Sequence, residues 1–290
     1  MKLRIADLYM DVACEEHVIS CLPNLRPFLV QDGEEVADVS LICRVETGMH
    51  LSQEKATPVL TSVLEGRIMR LWLMADCCSL SLTFPDSGRT YRLQADRRWK
   101  SVKTDWESDV AESFVALNDF IMVAFVYSSA FWDTSLIHAS CVAIGEEGCA
   151  FIGPSGIGKS THSRLWQQYI PGARLLNDDQ PVLRLKADGT VSMYGSPWSG
   201  KTACYCNEEV RLKGLFFMEQ ASENQIVRLS GVEAFQHLLK ATSLIGRDTV
   251  TFEAISGTQA SIAGLIPAFK FKNRPDKDAA HLSYQAFISI

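Results

Sequence analysis

The sequence predicts an α/β protein, closer to α+β, with a mixed sheet preceded by a smaller β-rich N-terminal module. Three observations carry that expectation. Short alternating apolar runs, separated by turn residues, fill the first hundred positions, as half-buried antiparallel strands do. The period then lengthens: Val110, Phe114, Leu117, Ile121 and Phe125 recur at three- and four-residue steps, marking one face of a helix. Finally, an apolar strand, a glycine-rich turn and a helix follow one another between residues 149 and 169, the alternation that covers a sheet with helices.

The chain has 290 residues, 47% hydrophobic and 21% charged, which excludes wholesale disorder and suggests one large domain or two small ones. The compositional boundary lies near residue 105, giving a module at 1–105 and a domain at 106–290. Lys plus Arg is 28 and Asp plus Glu is 34, a net charge of −6, so the basic footprint of a nucleic-acid partner is missing. The most apolar stretch, residues 120–132, is interrupted by Ser128 and Ser129 and is shorter than the roughly 20 residues of a membrane helix. It reads as a buried helix, with no membrane partner. Asp7 and Asp11 interrupt what would be an apolar signal core, so a cytoplasmic location is expected. Nine cysteines, with no Cys-x-x-Cys, read as reduced, buried thiols rather than metal ligands.

Strands are expected at 2–8, 36–45, 67–74, 79–84 and 90–93, with turns at Gln31-Asp32-Gly33 and Pro85-Asp86-Ser87-Gly88. A helix over 109–130 is followed by a strand at 136–144, a tight turn at Gly145-Glu146-Glu147-Gly148 and a strand at 149–152. A helix over 159–169, stopped by Pro171-Gly172, leads to a strand at 173–176 that ends in Asn177-Asp178-Asp179. A hairpin near Asp188-Gly189, a loop at 195–201, a strand at 210–218 and helices at 232–242 and 276–287 complete the chain.

Gly153-Pro154-Ser155-Gly156-Ile157-Gly158-Lys159-Ser160 fits G-x-x-x-x-G-K-[ST]. Glycines let successive backbone N–H groups turn inward onto phosphate oxygens. The helix that begins there, with Thr161 in its first turn, aims its positive end at the anion. Lys159 reaches the β- and γ-phosphates, and the Ser160 hydroxyl is a ligand for Mg²⁺. An apolar strand enters the loop and a helix leaves it, the context this motif requires.

Asp178 and Asp179 follow a short apolar strand one helix later. A strand parallel to the one feeding the loop delivers them to the same sheet edge. One carboxylate, Asp179, is assigned to the metal, and the other, Asp178, to accepting a proton from an attacking hydroxyl; these roles are exchangeable. A four-residue turn at 145–148 pairs Ile144 with Cys149, so paired positions sum to 293 and His138 faces Ser155. That register sets His138 near the γ-phosphate and Asp178, as a partner in proton handling. A slip by one residue would undo the argument. His162, in the first helical turn, is expected to be exposed.

With these features in place, the chain resembles HPr kinase/phosphorylase and its relatives, which share a P-loop fold with phosphoenolpyruvate carboxykinase. The likeness rests on the strand-initial His138-Ala139-Ser140-Cys141-Val142, on the phosphate loop and on the Asp178-Asp179 pair, and covers residues 136–218 best. It implies a carboxykinase-like P-loop domain, in which these positions serve as histidine partner, nucleotide cradle and catalytic and metal-binding carboxylates. Where the family carries Glu-x-Arg-Gly-Leu, this chain reads Arg211-Leu212-Lys213-Gly214-Leu215. Lys213 stands for the arginine, and Glu208 or Glu209 is the candidate substitute for the glutamate. The loop bearing Lys201 is similar to those that relatives place over the active site, which makes Lys201 a second phosphate contact. The resemblance implies an ATP-dependent kinase using Mg²⁺ and acting on a hydroxyl of a protein, peptide or small molecule. GTP, another nucleoside triphosphate and pyrophosphate remain open as donors, and an oligomer is compatible with the sequence. The alternatives are a nucleotide-binding regulatory protein with little catalysis and a nucleoside triphosphatase.

Overall fold

The computed structural model describes residues 1–31, 40–244 and 246–290. The expected turn at Asp32-Gly33 and the first part of the strand at 36–45 lie outside the described residues. The fold is mixed α/β with mixed sheets, divided into two compact units. One comprises Met1–Phe131 and Leu244–Phe252, the other Trp132–Ser243 and Glu253–Ile290.

The first unit contains β1 (Lys2–Ile5), β2 (Leu8–Ala13), α1 (Val18–Cys21), β3 (Leu41–Glu46), β4 (Leu60–Leu64), β5 (Arg67–Leu73), β6 (Cys77–Thr83), β7 (Thr90–Asp96), β8 (Ser101–Thr104) and α2 (Ala111–Ser129). Its eight strands are ordered β1-β2-β3-β8-β7-β6-β5-β4. β3 runs parallel to both neighbours, and the other pairs are antiparallel. Strand alternation decides the core: Leu71, Leu80, Leu82, Leu93 and Ala95 are buried on one face. α2 packs on β3 and β7. It therefore groups with the first unit, and the division falls at residue 131 rather than near 105. α2 starts at Ala111, earlier than the apolar stretch counted from residue 120. The resulting segment, Ala111–Trp132, is long and apolar enough to cross a membrane by length and composition, and 61% of its apolar 18-residue window is buried inside the fold.

The second unit contains β9 (Thr134–Leu136), β10 (Ala139–Ile144), β11 (Glu147–Ile152), α3 (Lys159–Tyr169), β12 (Ala173–Asp179), β13 (Val182–Leu185), β14 (Val191–Tyr194), β15 (Glu209–Gln220), β16 (Gln225–Arg228), α4 (Gly231–Ala241), α5 (Thr249–Leu265, whose first residues belong to the other unit), β17 (Ala268–Asn273) and α6 (Lys277–Ile288). The sheet runs β12-β10-β11-β15-β14-β13-β9, with β17 on β15 and β16 on β17. Its strands alternate between two cores. Cys141, Ala150, Ile152, Leu215 and Phe217 pack with Ala234, Leu238 and Ile262 of α4 and α5. Val142, Cys149, Phe151, Phe216 and Met218 pack with Trp166 of α3 and Ala279 and Phe287 of α6. Both faces are covered, which accounts for the nearly continuous apolar runs in β10 and β11.

The β10–β11 turn departs from expectation. Ile144 pairs with Glu147, so positions sum to 291 and only Gly145 and Glu146 form the turn. Gly145 adopts φ +57°, the left-handed backbone of a two-residue hairpin. The register is two residues tighter than the four-residue turn implies. A shift of two keeps each side chain on its face, and it sets His138 level with Gly153 (291 − 138 = 153) rather than with Ser155. All nine cysteines are free; Cys43, Cys78, Cys141 and Cys149 are buried, while Cys21 is exposed.

Candidate functional site

β10 lies between β11 and β12 and runs antiparallel to both, so β11 and β12 share a direction and end at one edge. Three groups meet there: Gly153 following β11, Asp178 and Asp179 closing β12, and His138 preceding β10. Ala139 pairs with Ile152 on one side and with Asp179 on the other, which fixes His138 between them.

The loop after β11 is bent by Gly156 at φ +80° and Gly158 at φ +109°, conformations that L side chains rarely adopt. Gly158 is the N-cap of α3, so the unpaired N–H groups of that helix open onto the loop. Ser155, Gly156 and Thr161 are exposed, while Gly153, Ile157, Gly158 and Ser160 are half-buried.

Lys159 is 8% exposed. Its ammonium group donates to Gly153 O at 2.8 Å, to Pro154 O at 3.2 Å and to His138 Nε2 at 2.8 Å, using all three of its N–H groups. Burial lowers its pKa from the ordinary lysine value, and the charges of Asp179 and Asp178 oppose that shift. The other ring nitrogen of His138, Nδ1, lies 2.8 Å from Asp179 Oδ1. A carboxylate cannot donate and an ammonium cannot accept. The imidazole therefore carries its proton on Nδ1 and presents the Nε2 lone pair to Lys159.

Histidine thus pairs with Asp179, not with Asp178 as the sequence suggested. Asp178 is 5% exposed, and its carboxylate has no hydrogen-bond partner among the described residues. Asp179 sits at φ +143°, a conformation that costs on the order of 1–3 kcal/mol for a non-glycine residue and tends to mark functional sites.

The loop after β14 is tied down against this pair. Gly200 N donates to Asp178 O at 2.6 Å, and Asn177 Nδ2 donates to Trp198 O at 3.2 Å and Ser196 Oγ at 3.3 Å. A Cβ on Gly200 would lie 3.2 Å from Asp178 O, so glycine permits the close approach. Lys201 follows directly and is exposed.

Other sequence assignments are not brought to the site. Lys213 pairs with Glu147 Oε2 at 3.2 Å and covers the Phe287 ring. It lies where β15 meets the start of β11, five positions and roughly 15 Å of strand from Gly153. Glu209 is held by Lys186 and Ser192, and Glu208 by Arg174 at the far end of β12. His162 is 1% exposed rather than surface-facing. It lies edge-on to Phe151 and Phe271, and Nε2 meets Ser283 Oγ at 2.9 Å.

The structure adds residues that the sequence did not suggest. Ser163 Oγ and Ser140 Oγ are 2.7 Å apart, locking α3 to β10. Gln220 at the end of β15 donates to Gly156 O and Ile157 O at 3.4 Å. Beside the loop opens a cavity of about 490 Å³ lined by Gly156, Ile157, Thr161, Gln220, Asn273 and Arg274. Only contact across the sheet reveals such residues; none has a distinctive spacing in sequence.

No protein-family model matches the chain, and no curated protein matches it. Among solved structures, the Hpr(Ser) kinase/phosphatase from Coxiella burnetii aligns with 53% of this chain and 88% of its own, at a TM-score of 0.32 and 12% identity. A likeness that low decides neither fold nor activity.

Proposed function

We propose that this chain is a nucleoside-triphosphate-dependent phosphotransferase of the HPr-kinase-like class, with a carboxykinase-like P-loop domain, acting on a hydroxyl group. One observation supports the reading above all others. His138 is hydrogen-bonded to both Asp179 and Lys159, so the acid–base group and the phosphate-binding lysine form one connected unit at the mouth of the glycine loop.

The donor's phosphates lie on the N–H groups of residues 156–161, and Lys159 exchanges its loop carbonyls for phosphate oxygens. The cavity beside the loop has the size of a small-molecule site and supports a nucleoside triphosphate over pyrophosphate. The acceptor oxygen attacks the γ-phosphorus, its proton passes to Asp179, and the bond from the γ-phosphorus to the bridging oxygen breaks to release the diphosphate. Asp179 takes the base role because its side chain is 35% exposed, whereas Asp178 is buried. His138 orients Asp179 and stabilises the charge change. Asp178 and the Ser160 hydroxyl are hard oxygen donors suited to Mg²⁺, which takes one or two protein oxygens and completes its shell with phosphate and water. When bound, the ion neutralises charge on the β- and γ-phosphates.

The test is to incubate the chain with Mg·ATP labelled at the γ-phosphate and a panel of serine- and threonine-bearing proteins, peptides and small alcohols. Label should appear in at least one acceptor, with diphosphate release accelerated by it. Diphosphate release at one rate with every acceptor would make the protein a triphosphatase, and no release at all would contradict the reading.

A further inference from the structure

The first unit holds a second polar cavity, unrelated to the glycine loop. Cross-strand register places Arg70 of β5 opposite Ser81 of β6, and Ser81 opposite Arg92 of β7. A serine is thus flanked on both sides by guanidinium groups. In the neighbouring row Trp72 stands opposite Ser79. These residues line a cavity of about 230 Å³, with Thr83, Thr90 and, from the segment before β4, Gln53 and Glu54. Trp72 Nε1 donates to Ala56 O at 2.8 Å, which pins that segment over the sheet.

Two features separate this cavity from an ordinary solvated sheet face. Ser79 and Ser81 line the cavity, and neither hydroxyl has a hydrogen-bond partner among the described residues, so both are open to whatever fills it. The arginines also differ. Arg67 is held by Asp119, and Arg92 by Asp105 at 3.0 Å. Arg70 has no carboxylate within ion-pair range among the described residues, and its contact is Thr83 Oγ1 at 3.4 Å. A half-buried guanidinium with free N–H groups, beside two unsatisfied hydroxyls, is a donor array that lacks an acceptor.

We propose that this cavity binds a small monocarboxylate, held by the Arg70 fork and the Ser79 and Ser81 hydroxyls, with its apolar body against Trp72. Arg92 is already paired with Asp105, so Arg70 is the lining guanidinium without a carboxylate among the described residues, and a single guanidinium fork matches one carboxylate rather than a dianion. Arg92 contributes positive field while remaining clamped by Asp105, whose other oxygen accepts the Arg92 backbone N–H at 2.6 Å.

The experiment titrates the full chain with acetate, lactate and benzoate by calorimetry, against chloride at matched ionic strength and against inorganic phosphate. At least one carboxylate should bind saturably and more tightly than phosphate. Arg70→Gln and, independently, Ser81→Ala should each weaken it about tenfold, with unliganded melting temperatures near that of the parent. Lys159→Ala should leave it unchanged, which separates this site from the glycine loop. The proposal is overturned if none of the three carboxylates binds, if phosphate binds more tightly, if either sheet variant binds like the parent, or if Lys159→Ala abolishes binding.

Discussion

The Nδ1–H of His138 donates to Asp179 Oδ1 at 2.8 Å, and this bond fixes the tautomer that leaves Nε2 free to accept from Lys159. Replacing either partner breaks the chain of proton donors. Asp179→Asn and His138→Gln should each lower phosphoryl transfer by about 10²–10⁴-fold while nucleotide affinity stays within a small factor of the parent. Single-turnover transfer, measured beside nucleotide titration, checks this. A variant that transfers at the parental rate would remove Asp179 from the base role.

Asp178 is the buried carboxylate, and the account gives it the metal. Asp178→Asn should abolish Mg²⁺-dependent transfer and raise the Mg²⁺ concentration needed for tight nucleotide binding, with metal-free nucleotide binding unchanged. Titrations with and without Mg²⁺ separate the two. If metal-free binding falls as far as metal-dependent binding, Asp178 has another role.

How much of this was legible in the sequence depended on the kind of constraint. The glycine loop was readable because backbone conformation and lysine reach act within eight residues. The acids reached the predicted edge because β12 ends where β11 ends. The hairpin register was not readable to the residue. Glycines at both 145 and 148 permit two turns, and the shorter one formed, with Gly148 packed tightly inside β11, where a Cβ would lie 2.7 Å from Val142 O. The place of Lys213 is hidden from the sequence for a related reason: it depends on where β15 pairs with β11, a contact between segments far apart in the chain. His162 reads as exposed from α3 alone, and only the packed fold, with Ser283 of α6 and the rings of Phe151 and Phe271 against it, shows it buried.

Gly195 offers a test of the loop that backs the acids. A Cβ there would fall on the carbonyl oxygen of Cys206 and 3.2 Å from Leu176 O, both backbone atoms that have little room to move. Gly195→Ala should destabilise the protein by about 2 kcal/mol or more, lowering its midpoint in urea. A midpoint equal to the parent's would show that the segment around Cys206 is not held as described.

His162 gives the fold a predictable acid response. Burial among Phe151 and Phe271 pushes its pKa down to about 3 from the ordinary 6.5, with the Asp276 charge opposing. The folded state therefore binds fewer protons than the unfolded state between those values. Its contribution to stability is intact above pH 6.5 and falls on acidification toward pH 3, at about 1 kcal/mol per pH unit. Comparing urea midpoints of parent and His162→Gln at pH 7 and pH 5 checks the sign. The parent should lose more stability than the variant, and equal losses would contradict the assignment.

The most direct test of the central claim is calorimetric titration of Mg²⁺ with a non-hydrolysable ATP or GTP analogue into the parent chain and into Lys159→Ala. The account predicts saturable binding at one site per chain, weakened about tenfold or more when the lysine is removed. Absence of binding by the parent to both analogues, or equal affinity in parent and variant, would contradict it.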